Sequence, residues 1–160
     1  MISLRRLEAA DAQRLCARWA PEQLPGYQIP ADAEEMSALI AEWNRGKVQG
    51  RRFQMLLIEV DGECAGLVSL YKKEAGVSIG ISVHPDFQKR GIGTEAVALA
   101  AELASLFGGE KFVSECRTDN AASIALHEKC GFKRTGERVN RRGNRVICWE
   151  KPIEREKKKE

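Results

Sequence analysis

The chain has 160 residues, 43% hydrophobic and 31% charged, a balance that suits one soluble globular domain and excludes collagen-like, low-complexity and wholly disordered classes. Its 26 Lys and Arg against 23 Asp and Glu leave a net charge of +3, too small to imply a nucleic-acid partner without a concentrated basic patch. No run of about 18 apolar residues occurs, and Met1-Ile2-Ser3-Leu4-Arg5-Arg6 lacks a signal-peptide core, so a cytoplasmic protein with no membrane partner is expected.

Residues 2–7 read as a short strand, and Ala12, Leu15, Cys16 and Trp19 recur at helical spacing from Glu8 until Pro21 ends the pattern. Three prolines and Gly26 make 21–30 a loop, followed by a second helical pattern in Met36, Leu39, Ile40 and Trp43 that stops near Gly46. Phe53 to Val60 and Cys64 to Tyr71 flank Asp61-Gly62-Glu63, where Asp-Gly supplies the positive φ angles of a tight hairpin turn. From Gly76 to Val83, Val77, Ile79, Ile81 and Val83 alternate with Ser78, Gly80 and Ser82, which predicts a fourth strand with one crowded face and one small-residue face.

Ile92, Ala96, Leu99, Leu103 and Leu106 then share one face of a long helix between Gly91 and Phe107, ended by Gly108-Gly109. Lys111 to Cys116 form a fifth strand parallel to the fourth, because a helical crossover separates them. A shorter helix runs from about Ala121 to Cys130, with Asn120 as N-cap and Gly131 at its C-terminal end. Phe132 to Val139 and Val146 to Lys151 are the closing strands, joined by a turn over 140–144. A single domain over 1–160 is expected, with the charged run 154–160 as a disordered tail. The five cysteines, odd in number and without C-x-x-C spacing, are expected to be reduced thiols rather than disulfides or metal ligands.

Ile81 to Thr94 joins a strand, a short loop and a glycine-punctuated helix start. Glycines there let a polyanion approach the backbone, the first unpaired helical amides point outward, and the helix dipole adds partial positive charge, which together suit a pyrophosphate. Taken alone, the same residues also fit an ordinary glycine-rich loop. Gln88-Lys89-Arg90-Gly91-Ile92-Gly93 matches the pattern Q/R-x-x-G-x-G/A, and 120–132 matches N-x-x-S-x-x-L-Y-E-K-x-G-F except that His127 stands at the tyrosine position. On these two motifs the chain resembles the GNAT superfamily of N-acetyltransferases over roughly Phe53 to Glu150, whereas residues 1–50 resemble it only in having a strand and two helices.

The resemblance implies an α/β (α+β) fold, a central, mostly antiparallel mixed sheet flanked by helices and splayed between the fourth and fifth strands. It implies acetyl-CoA as co-substrate, without a metal, its pyrophosphate on Gln88, Lys89, Arg90, Gly91, Ile92, Gly93 and Thr94. The pantetheine would run beside Ile81, Ser82 and Val83, with Asn120 and Ser123 on the cofactor side. The implied reaction is attack of an amine on the thioester; the acceptor is a small molecule, a protein N-terminus or a lysine, and homodimers are common in the family. Asn120 also fits a plain helix cap.

The family's frequent acid is the motif tyrosine, so His127 is either the proton-transfer group in its place or a packing residue on the helix face. No Asp or Glu occurs in 76–83, which leaves Glu115, then Glu74, as candidate bases or surface carboxylates. Cys116 reads as a buried thiol, and His84, before Pro85, as a loop-shaping residue. Trp19, Tyr27, Trp43 and Phe53 are either core or acceptor pocket, and Lys133 to Arg145 form the one concentrated basic region. Two rival classes remain: a dinucleotide-binding oxidoreductase, disfavoured because seven residues separate the strand from Gly91, and a non-catalytic acyl-CoA-binding or regulatory module.

Overall fold

The structure, a computed structural model, describes residues 1–18, 29–30 and 32–153. In chain order its elements are β1 (Ile2–Arg6), α1 (Asp11–Arg18), α2 (Ala33–Trp43), β2 (Lys47–Val48), β3 (Arg51–Val60), β4 (Glu63–Lys72) and β5 (Val77–Val83). A 3-10 turn (Pro85–Phe87) leads to α3 (Ile92–Ser105), β6 (Lys111–Arg117), α4 (Ala121–Lys129), β7 (Lys133–Val139) and β8 (Arg145–Pro152). The two-residue β2, which pairs with β3, was not anticipated, so the expected fourth and fifth strands are β5 and β6. Trp19, Tyr27, most of the 21–30 loop and the 154–160 tail lie outside the described residues.

Met55, Leu56, Leu57 and Ile58 are all buried, because β3 has apolar cover on both faces of the sheet. Met55 and Leu57 pack with Leu15 of α1 and Met36 and Ile40 of α2. Leu56 and Ile58 pack with Ala96, Val97 and Ala100 of α3, in a core that continues through Phe112, Phe132 and Trp149. The sheet order is β1-β3-β4-β5-β6-β8-β7. Among the described strands only β5 and β6 run parallel, which the long crossover through α3 allows; the other pairs are antiparallel. Among the described residues no helix is long and apolar enough to cross a membrane.

Asp61 and Gly62 carry φ of 51° and 83°, the paired positive angles anticipated for the β3–β4 turn. Residue 65 is extra in that ladder, since Ile58 pairs with Gly66 and Glu59 with Cys64. Gly66 has no room for a side chain, because a Cβ there would overlap the Ser82 carbonyl oxygen of β5. The first helix starts at Asp11 rather than Glu8, for Asp11 is 3% exposed and tied into an ion cluster. Arg5 donates to both Asp11 oxygens at 2.9 and 2.7 Å and also pairs with Glu59, so β1, α1 and β3 meet through a part-buried charge cluster. Burial would raise the Asp11 carboxyl, but Arg5, the Glu8 amide and Arg14 hold it below its ordinary pKa.

Candidate active site

Two residue pairs, Val77↔Phe112 and Ser78↔Val113, make the whole of the β5–β6 ladder. Beyond them the strands part, and 79–83 keeps its pairing to β4 alone. The chain leaves the open end of β5 through a loop that Gln88 ties back, its Nε2 donating to the Val83 carbonyl at 3.1 Å. His84 shapes this loop as expected: buried, its Nδ1 accepts from the Asp86 amide at 3.1 Å.

Gly91 opens α3 with φ 75° and ψ 10°, and no side chain caps it. That left-handed geometry favours glycine, although a Cβ at Gly91 would meet nothing within 4 Å. The Glu95 amide donates to the Gly91 carbonyl at 3.1 Å, so the amides of Ile92, Gly93 and Thr94 lie in the unpaired first turn. Lys89 has φ 64°, and the Arg90 guanidinium lies 5.4 Å from the Phe87 ring centroid. Gly93 carries a packing constraint as well: a Cβ there would stand 2.8 Å from Leu126 Cδ1, so the missing side chain lets α4 approach α3. Thr94 Oγ1 lies 3.9 Å from Cys130 Sγ, on the same helix–helix contact.

At the start of α4, Asn120 Oδ1 accepts from the Ser123 amide at 3.1 Å, the anticipated N-cap. One turn on, His127 places Nδ1 at 2.7 Å from the Ser123 carbonyl oxygen and Nε2 at 2.8 Å from Ser114 Oγ. Its ring stacks on Trp149, with centroids 4.9 Å apart and planes at 15°, and meets the Phe132 ring near edge-on at 5.1 Å. Burial pushes the imidazole below its ordinary pKa, partly opposed by the Ser123 carbonyl, which favours the charged ring. Trp149 Nε1 donates to Cys116 Sγ at 3.2 Å, which makes Cys116 the buried thiol anticipated.

Glu115 follows Ser114 and so faces the other side of the sheet. Arg138 Nε donates to its Oε1 at 3.1 Å, and an Nη2 contact to the same oxygen completes an ion pair. The two residues expected to act in catalysis, His127 and Glu115, therefore flank the opening from opposite faces and do not touch. Glu74 sits in the β4–β5 turn, behind the paired end of the ladder and away from the opening. The basic region is less free than its composition implied, since Arg134 pairs with Glu128, Arg138 with Glu115 and Arg145 with Glu137. Trp43 packs against the α1/α2 core, and Phe53 meets Tyr71 edge-on at 6.3 Å.

Ser114 and Trp149 were not singled out from the sequence. The signal available was a polar residue at the centre of the alternating series Phe112, Ser114, Cys116, whose two neighbours on that face are buried. Trp149 carried no such mark, because only the register Ser114↔Trp149 brings it to the imidazole.

A profile of the acetyltransferase (GNAT) domain matches residues 2–133. The chain belongs to the GNAT acetyltransferase family. Among its relatives, the ribosomal protein bS18-alanine N-acetyltransferase of Salmonella typhimurium is 31% identical over 93 residues, 58% of this chain and 63% of the relative. The aminoglycoside N(6')-acetyltransferase type 1 of Acinetobacter genomosp. 13 is 42% identical over 60 residues, 38% of this chain and 40% of the relative. The matches thus span less than two thirds of either relative. The GNAT fold is shared with a spermidine N-acetyltransferase from Vibrio cholerae solved with CoA and spermine, at TM-score 0.75 and 18% identity over 95% of each chain.

Proposed function

We propose that this GNAT protein transfers an acetyl group from acetyl-CoA to a primary amine by direct attack. The observation that carries the reading is the coincidence of an uncapped, left-handed helix start at Gly91 with a strand edge that lacks a sheet partner over 79–83. The first suits a pyrophosphate and the second the amides of a pantetheine arm, so the residues present fit the co-substrate. Lys89 and Arg90 stand beside the unpaired amides as counter-charges, and Ile81, Ser82 and Val83 line the edge. Bound there, acetyl-CoA supplies an activated thioester.

His127 is the proton-transfer group on the α4 side of the opening. Its depressed pKa keeps it neutral and able to accept a proton at neutral pH. Glu115, on the opposite face, attracts the cationic amine, with Arg138 fixing its carboxylate rather than leaving it as the base. Asn120 and Ser123 shape the helix start that carries His127.

The second reading, a non-catalytic acyl-CoA-binding module, draws on the engagement of both His127 nitrogens and of Glu115. Thiol release separates the two. The acceptors named for the relatives and the structural neighbour, an alanine terminus, an aminoglycoside and a polyamine, all present amines, so one of each is the panel. Acetyl-CoA-dependent thiol release with at least one of them is the expected result. Binding of acetyl-CoA with no release above the solvent rate across the panel overturns transfer and leaves the binding module.

A further inference from the structure

Ser114 is a polar residue on the apolar face of β6, between the buried Phe112 and Cys116 and opposite Trp149 of β8. It is also the first residue of β6 past the ladder to β5, which ends at Ser78↔Val113. Its hydroxyl therefore stands where the strands part, on the α4 side of the sheet.

The Ser123 carbonyl bears no hydrogen, so the 2.7 Å contact puts the proton of the neutral His127 ring on Nδ1. Nε2 then presents a lone pair, and Ser114 Oγ at 2.8 Å donates to it. Trp149 against one ring face and Phe132 at the edge restrict the imidazole to this orientation. The groups packed around the ring are Ser123 from α4, Ser114 from β6, Phe132 after α4, and Trp149 from β8, with Arg134 of β7 5.2 Å from the Trp149 ring centroid.

We propose that Ser114 is a catalytic proton-relay residue, its hydroxyl linking His127 Nε2 to the opening between β5 and β6. The proposal rests on the acetyl-transfer reading. The ammonium first gives one proton to solvent; as the neutral amine nitrogen then bonds to the acetyl carbon, its surplus proton passes to Ser114 Oγ while the Ser114 proton passes to Nε2. That leaves an intact hydroxyl and an imidazolium. The carbon–sulfur bond breaks with its electron pair on sulfur, and the imidazolium returns one proton to that sulfur by the same route. The products are an amide and a thiol, and both residues end in their starting states.

The test uses the full chain with acetyl-CoA and excess n-butylamine, thiol release being followed against pH. Ser114→Ala is expected to lower kcat about tenfold while KM for acetyl-CoA stays within about twofold. Ser114→Thr keeps the hydroxyl on a strand-compatible side chain and is expected to recover most of the loss. In a His127→Phe background, Ser114→Ala is expected to change nothing further, because the hydroxyl acts through the ring. Nitrogen NMR of the two histidines reads the contact without any amine: Ser114→Ala moves Nε2 of His127 toward an unbonded nitrogen and leaves His84 in place.

Full turnover in Ser114→Ala, an additive loss in the double variant or an unmoved Nε2 resonance overturns the role of Ser114. Full turnover in His127→Phe overturns the role of His127 itself. No thiol release from the unsubstituted chain overturns the acetyl-transfer reading beneath both.

Discussion

In the proposed reaction His127 meets two requirements, to reach the reacting atoms and to keep a half-buried ring stacked on Trp149. Burial favours the neutral form and the Ser123 carbonyl opposes it, with burial the larger effect. The sign of the pH dependence follows. A histidine with a depressed folded pKa contributes stability that is fully present above its unfolded value, about 6.5, and is lost as pH falls toward the folded value. In that window the unfolded chain binds a proton that the native chain does not. The difference in Tm between the unsubstituted chain and His127→Gln is therefore expected to shrink as pH drops from 7.5 to 5.5, as melting curves at each pH would register. A constant difference would mean that the ring gains its proton as easily folded as unfolded. From the sequence, His127 was placed by its motif position, but its partners were not, because cross-strand register and strand order decide them.

At the scale of elements, the α3–α4 contact shows that two glycines of one motif carry different structural constraints. Gly91 and Gly93 look alike in the sequence, yet only Gly91 holds a left-handed φ, and only Gly93 faces a neighbouring helix. Gly93→Val would press on Leu126 and is expected to destabilise the fold by about 2 kcal/mol, the ordinary cost of overpacking. Leu126→Ala in the same chain should return part of that loss, although alone it lowers stability. Denaturant unfolding of the four proteins measures the coupling, and additive losses would show that Gly93 and Leu126 do not press on each other. The β3–β4 hairpin was legible because Asp61-Gly62 encodes its own turn locally. The Arg5–Asp11–Glu59 cluster was not, since it depends on β1 lying beside β3, and neither was β2, whose two residues are too few for any periodicity.

Across the whole molecule, apolar cover is arranged so that the sheet is sealed at β3 and open between β5 and β6. The opening was expected from the family resemblance, not from the strand pattern; that β8 would lie between β6 and β7 was not legible, because a hairpin fits a sheet edge in either order. A ligand lying in the opening meets two separate features, the strand edge and the helix start, and their shares are separable by shortening it. Acetyl-CoA at about 100 times its Kd stabilises the native chain by about 2.7 kcal/mol, which for a domain of this size is about 5–10 °C in Tm. S-acetyl-pantetheine keeps the amides proposed to pair with the edge but lacks the pyrophosphate proposed to reach α3. At equal concentration it is expected to give less than half the shift, and Gly91→Val to remove the difference between the two ligands, since it alters the helix start alone. NAD, which carries a pyrophosphate without the arm, serves as the converse control. Equal shifts from acetyl-CoA and S-acetyl-pantetheine would mean that the strand edge holds the co-substrate and that the uncapped helix start does not.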